Sequence, residues 1–172
     1  ENPEPVRLGA IAKVLAERYA AEAADRGIAL RAEIPEDIEY VVAGDSGALE
    51  HALRNLLENA VKYTEAGGAV SVRFYADKSE SFATVEVGDT GTGISEDDRE
   101  RIFTPFFRVA TSSKIAGTGL GLPIVAKVIE NHHGRIEVES KLGEGSRFSV
   151  VLPIDAVERF SSAPGRTRVV IV

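Results

Sequence analysis

The sequence has no cysteine, which excludes disulfides and thiolate metal sites and leaves no sign of a redox compartment. It has no methionine either, so the 172 residues are expected to be an excised piece of a longer protein. No apolar run approaches the roughly 20 residues of a membrane span, and nothing at Glu1 reads as a signal peptide. Direct membrane contact is therefore not expected of this segment, while anchors or sensors in flanking segments stay open. Lys and Arg number 20 against 27 Asp and Glu, giving a formal net charge of −7 with no basic cluster. That weighs against a nucleic-acid surface, which needs a positive patch. What is present, 44% hydrophobic and 27% charged residues, is ordinary for one globular domain with a substantial core.

Punctuation and periodicity organise the chain. Glu1 to Pro5 carries two prolines and reads as a linker. From Val6 to Arg26, Leu8, Ile11, Leu15 and Tyr19 recur at helical spacing, and Gly27 ends that helix. Ile28 to Ile34 and Tyr40 to Ala43 read as strands, and Asp45 or Ser46 caps a helix reaching about Thr64. Ala69 to Ala76 and Phe82 to Val87 form a hairpin. A long stretch rich in Gly, Asp, Thr and Ser follows from Gly88 to Gly121, with a short helix near Glu96 to Ile102. Loops of that length are usually functional or disordered. Pro123 suits the first turn of a helix to about His132, and Arg135 to Ser140 and Ser146 to Leu152 are the last strands. Strands in adjacent pairs argue for an α+β domain, a mixed sheet with helices on one face, and against a doubly wound fold.

Three patterns invite chemistry. On the helix spanning Leu49 to Lys62, Leu49, Leu53, Leu56, Leu57 and Ala60 share one side, at about 100° per residue. Asn55, Asn59 and Lys62 lie opposite. They can be a solvated face, but asparagine is a poor helix former. An amide oxygen can ligate a hard cation, and a lysine one turn on can meet phosphate as a point charge. Gly88-Asp89-Thr90-Gly91-Thr92-Gly93-Ile94 leaves a strand. It is either a plain Asp-Gly turn or a carboxylate placed to accept from an exocyclic amine, with glycines letting the backbone approach a ligand. Gly117-Thr118-Gly119-Leu120-Gly121-Leu122 enters a helix, whose N-terminal N–H groups can hold phosphate. It is neither a dinucleotide fingerprint nor a Walker loop. Between the last two, Phe103, Phe106 and Phe107 are expected to pin a lid, with Arg108 reaching toward phosphates.

Together these residues resemble the catalytic and ATP-binding domain of sensor histidine kinases, within the superfamily that also holds gyrase, Hsp90 and MutL. The resemblance covers roughly Val6 to Pro153. Asn55 to Tyr63 resembles the N box, Asp89 to Gly93 the first glycine box, Phe103 to Arg108 the F box and Gly117 to Leu122 the second glycine box. Gly143-Glu144-Gly145-Ser146 is similar to the last glycine motif. The resemblance implies a two-layer α/β sandwich, the Bergerat ATP-binding fold, with about five strands and a long ATP lid over about 94–117. It implies Mg²⁺ on Asn59 with Asn55 supporting, and nucleotide contacts from Lys62 and Tyr63. Asp89 would take the adenine amine, with Gly91, Gly93 and Ile94 around the base and Ser146 nearby. Backbone from Gly117 through Thr118, Gly119, Leu120, Gly121 and Leu122 would hold phosphates, and Arg108 would approach the γ-phosphate. Asn55 and Arg108 are thus the implied catalytic residues, and residues 6–154 the catalytic domain.

The same resemblance places the acceptor histidine on a separate dimerisation domain and implies a response regulator or receiver domain as partner, in the cytoplasm. His51, His132 and His133 lack the context of a phosphoacceptor. His132-His133-Gly134 departs from the family's His-Gly-Gly, which puts a residue with a side chain where a positive φ is needed unless Gly134 supplies it. The polar stretch from Asp155 and the strand-like Arg168 to Val172 are either the start of a receiver domain or an extra strand. Rival readings are a hydrolytic ATPase, an anti-sigma serine kinase and a nucleotide-sensing pseudokinase. Hydrolysis is disfavoured because Asn55 stands where those ATPases have a glutamate base, and an amide cannot take a proton from water.

Overall fold

The protein is described by a computed structural model covering residues 3–109, 117–155 and 159–161. Part of the expected lid (110–116) and the tail strand Arg168 to Val172 lie outside the described residues. The elements in order are β1 (Glu4–Arg7), α1 (Leu8–Asp25), β2 (Ala29–Glu33), β3 (Ile38–Gly44), α2 (Ser46–Lys62), β4 (Ala69–Ala76), β5 (Phe82–Asp89), α3 (Glu96–Arg99), α4 (Gly121–Asn131), β6 (Arg135–Lys141), β7 (Gly145–Pro153) and β8 (Arg159–Ser161). Residues 4–7, read as the end of a linker and the start of a helix, instead pair antiparallel with β3 from Glu4↔Gly44 to Arg7↔Val41. This pairing, and the burial of Val6 to 3% exposure, outweigh the local linker character of the prolines. The chain returns after β7 to add β8 to β3, completing a small sheet in the order β1-β3-β8.

The main sheet has the order β2-β4-β5-β7-β6, with β2–β4 parallel and the other pairs antiparallel. It is the mixed five-stranded sheet of the α+β expectation. Alternation sorts its faces. Val70, Val72 and Phe74, Ala83, Val85 and Val87, and Phe148, Val150 and Leu152 join the core with the inner stripes of α1, α2 and α4. The opposite face is polar. Arg73 bridges Glu33 (3.1 Å) and Glu86 (3.5 Å), and the Tyr75 hydroxyl donates to Glu86 (3.2 Å). Helices on one face and charges on the other make a two-layer sandwich.

The ends of the helices set the site. Asp45 caps α2 by accepting from the Ala48 N–H (2.9 Å). His132, one of the three histidines, ties the end of α4 to this cap. Its Nδ1 lies 2.7 Å from the Val128 carbonyl, and its Nε2 accepts from the Asp45 N–H (2.9 Å). Both contacts are satisfied only by the neutral Nδ1–H tautomer, a structural role rather than a phosphoacceptor's.

Helices α1 and α4 end in the same motif. After α1, Ile28 N–H donates to Ala23 O (2.8 Å) and Gly27 N–H to Ala24 O (2.9 Å), with Gly27 at φ 72°. After α4, Gly134 N–H donates to Ile129 O (3.0 Å) and His133 N–H to Glu130 O (3.0 Å), with His133 at φ 58°. Both are Schellman ends, but the second puts a histidine where glycine is favoured. Gly134 does not supply the turn, because it is needed for space: a Cβ there would lie 2.5 Å from Val151 O. His133→Gly is therefore expected to stabilise the chain by about 0.5–1 kcal/mol, the relief of left-handed strain less the added freedom of the unfolded chain. Denaturant titration checks this as an upward shift in midpoint with unchanged slope.

Candidate functional site

A cavity of about 350 Å³ opens between α2, the end of β5, the start of α4 and β7. The outer face of α2 contributes Asn55, Asn59, Lys62 and Tyr63, because Leu49, Leu53, Leu56 and Leu57 are buried on its inner side. The start of α4 faces it. A Cβ on Gly121 would sit 3.8 Å from Asn55 Oδ1, and one on Gly117 would sit 3.1 Å from Lys62 Nζ. The lysine thus reaches from α2 toward the glycine ladder, while also lying over the Tyr63 ring, 5.5 Å from its centroid. The N-cap residue of α4, Leu120, offers no side-chain acceptor to the leading N–H groups of the helix. Thr118 Oγ1 accepts from Leu120 N–H at 3.4 Å. The Asn55 Nδ2 is buried and has no hydrogen-bond partner among the described residues. An unpaired buried amide is costly, so a ligand that pairs with it gains.

Asp89 closes the other end. Burial pushes its carboxyl up from the ordinary carboxylate value, against the opposing pull of the Gly91 and Ser146 N–H groups. Gly91 N–H donates to Asp89 Oδ1 at 2.8 Å. The neighbouring glycines also allow close packing of backbone on backbone. A Cβ on Gly91 would lie 2.3 Å from Tyr63 O, and one on Gly93 would lie 1.9 Å from Lys141 O. They let this segment lie between the end of α2 and the β6–β7 turn, where Thr92 N–H donates to Tyr63 O (3.3 Å) and Gly143 N–H to Thr92 O (2.7 Å).

Of the residues singled out from sequence, Asn55, Asn59, Lys62, Tyr63, Asp89, Gly93, Ile94, Arg108, Gly117, Thr118, Gly119, Gly121, Leu122 and Ser146 line one cavity. Gly91 and Leu120 do not line it: the first positions Asp89, and the second is the cap of α4. Two of the three phenylalanines anchor the loop as expected, since Phe103 and Phe107 pack on the core and Arg101 lies over the Phe107 ring at 4.3 Å. Phe106 does not. It is 74% exposed with φ 65°, its N–H donating to Gly119 O (3.0 Å). Sequence reasoning missed Ser140, which touches both Ile94 and Ser146 from β6. Its alternation in the strand was visible, but its partner across the sheet was not.

The profile of the histidine kinase-, DNA gyrase B- and HSP90-like ATPases matches residues 44–156. The chain belongs to this ATPase family. Within the family it is similar to sensor histidine kinases and to their catalytic domains. It is 36% identical over 149 residues to the adaptive-response sensory kinase SasA of Crocosphaera subtropica, covering 87% of this chain and 38% of that protein. It is 40% identical over 135 residues to the sensor histidine kinase RppB of Synechocystis, covering 76% of this chain and 29% of that protein. The chain thus spans about two fifths or less of these kinases' length.

Solved structures agree with the family. A mycobacterial sensor histidine kinase, MprB, superposes with a TM-score of 0.75 at 31% identity, covering 88% of this chain and 97% of that one. The catalytic domain of histidine kinase ThkA gives 0.76 at 26%, covering 90% and 99%. Full-length ShkA in complex with AMPPNP gives 0.75 at 32%, covering 88% and 31%. Family members bind ATP at this fold. Among the described residues, no helix is long and apolar enough to cross a membrane.

Proposed function

We propose that the chain binds Mg-ATP and donates the γ-phosphate to a histidine on a dimerisation domain outside it, as the catalytic domain (residues 6–154) of a cytoplasmic two-component kinase acting on a response regulator or receiver domain. The observation that carries this reading is one cavity with a desolvated carboxylate at one end and two amides, a lysine and an uncapped helix start at the other. The first suits an exocyclic amine and the second a polyphosphate. Asp89 takes the adenine amine, with Gly93, Ile94 and Ser146 around the base. Lys62, Tyr63 and the backbone of Gly117 to Leu122 hold the rest of the nucleotide, and Arg108 approaches the γ-phosphate.

The residues fit magnesium in a particular way. Among the described residues no three acidic or imidazole side chains gather as a cage, while Asn55 and Asn59, one turn apart, line the cavity, their amide oxygens suited to a hard cation and the unpaired Asn55 Nδ2 to donation toward a phosphate. Such a site suits a cation that takes most ligands from phosphates and water. Asn59 would hold it, with Asn55 in support, and the ion would neutralise charge on the phosphates. Phosphoryl transfer needs little else than positioning and charge stabilisation, which is what the amides, Lys62, Arg108 and the α4 N–H groups offer.

Hydrolysis finds less support. Of the two carboxylate residues that line the cavity among the described residues, Asp89 lies at the base end. The other, Glu58, is engaged by the Tyr19 hydroxyl, which donates to it at 2.6 Å, and lies 3.9 Å from Arg54 Nε. Calorimetric titration with a non-hydrolysable ATP analogue and Mg²⁺ tests the reading. Saturable binding is expected, and Asn59→Ala should weaken it about tenfold or more, a bond to a charged group being worth about 1.5–3 kcal/mol. No binding by the folded parent would overturn the proposal. Binding without transfer to an added phosphoacceptor domain would leave the nucleotide-sensing module in its place.

A further inference from the structure

Three side chains stand in one row across the sheet at the base end of the cavity. Asp89 on β5 pairs with Ser146 on β7, and Ser146 pairs with Ser140 on β6. Ser140 Oγ has three neighbours. It donates to Gly145 O (2.9 Å), accepts from Ile94 N–H (2.8 Å), and lies 2.8 Å from Ser146 Oγ. A serine hydroxyl has one proton and two acceptor sites. Since a carbonyl only accepts, the Ser140 proton is committed to Gly145 O. The contact between the serines is then satisfied only if Ser146 is the donor. Ser146 therefore turns its single proton toward Ser140 and leaves only lone pairs for the cavity that it lines beside Asp89.

We propose that Ser140 is a positioning residue that holds the Ser146 hydroxyl as an acceptor, so that Ser146 and Asp89 together receive the two hydrogens of a ligand's exocyclic amine. The proposal rests on the adenine-nucleotide reading of this cavity and adds a residue outside the cavity lining that sets its preference for an amine. The same oxygen fastens Ile94, where the chain leaves the base end toward the lid. Alanine at 140 releases both constraints: the Ile94 N–H loses its acceptor, and the Ser146 proton is free to rotate toward the ligand, donor against donor. Threonine keeps the hydroxyl and suits a strand.

The test compares two ligands on the 172-residue chain by calorimetry with Mg²⁺. One is the non-hydrolysable ATP analogue, and the other is the same molecule with hydrogen in place of the 6-amino group. Ser140→Ala is expected to weaken the amine-bearing ligand about 5- to 10-fold, the scale of one net hydrogen bond. It should weaken the amine-free ligand less than about twofold, and Ser140→Thr should restore the parent ratio. Ser146→Ala leaves the Ile94 tie in place and should collapse the ratio in the same way, so the test survives a poorly folded Ser140→Ala. Equal losses on both ligands would mark Ser140 as merely structural and overturn the proposal. An unchanged ratio in Ser146→Ala would overturn it too. A folded parent that binds neither ligand would instead defeat the adenine-nucleotide reading, and the proposal with it.

Discussion

Asp89→Asn is expected to weaken binding of an ATP analogue by about 10- to 100-fold, the scale of one hydrogen bond to a charged group, while making the ligand-free chain more stable at neutral pH. The two effects share a cause. Burial raises the carboxyl's pKa despite two backbone N–H donors, so its charged form is held at a cost in the absence of ligand. Asparagine removes that charge, and its oxygen can still accept from Gly91. Its amide hydrogens, however, then face the ligand's amine. The pH dependence follows from the sign of the shift. A carboxyl whose folded pKa lies above its unfolded value binds more protons in the folded state between the two, so stability falls as pH rises through that window. The stability advantage of Asp89→Asn should be largest at neutral pH and shrink as pH is lowered through the raised pKa. Thermal melts of both proteins across pH, beside calorimetry, check it. An advantage that grows on acidification would contradict the assignment.

Gly93→Ala should be strongly destabilising for a single added methyl. The added carbon would lie 1.9 Å from Lys141 O and 2.7 Å from its carbonyl carbon, at a residue with φ 66°. Backbone cannot yield as a side-chain tip does, so the wall formed by residues 92–94 must move off the β6–β7 turn. A destabilisation of about 3 kcal/mol is expected, seen as a fall in melting midpoint of about 10 °C for a chain of this size. Gly143→Ala is the control. Gly143 also has a positive φ, 82°, but nothing lies within 4 Å of its added carbon. It should cost only the local strain, about 1–2 kcal/mol. Similar losses for the two would mean that close approach at Gly93 is not what matters.

Much of this site could be read from periodicity because its elements are locally determined. The two faces of α2, the Asp45 cap and Pro123 in the first turn of α4 each follow from residues within a turn or two of one another. What escaped depends on partners far along the chain. Strand β1 exists because residues 41–44 are there to pair with it, and a four-residue segment with two nearby prolines carries no such signal. Gly91 and Gly93 are legible as glycines with a purpose, but their close approach to Tyr63 and Lys141 is not, because sequence does not place those residues beside them. Phe106 was grouped with its neighbours by composition, whereas its backbone conformation turns it outward. Ser140 needed the register of β6 on β7, which alternation alone leaves open.

The row that joins Asp89 to Ser146 and Ser140 also has a consequence for biosynthesis. Strand β5 lies in the middle of the sheet, yet one of its two partners, β7, begins only at Gly145. During translation, which proceeds from the N-terminus, α2 and Asp89 emerge with that flank of β5 open and the base end of the cavity lacking a wall. A ribosome-bound chain stopped before Ser146 cannot assemble the row, and so cannot gain the stabilisation that a bound nucleotide confers on a complete fold. Ligand-induced resistance to proteolysis should therefore arise as a step, once β6 and β7 have cleared the exit tunnel.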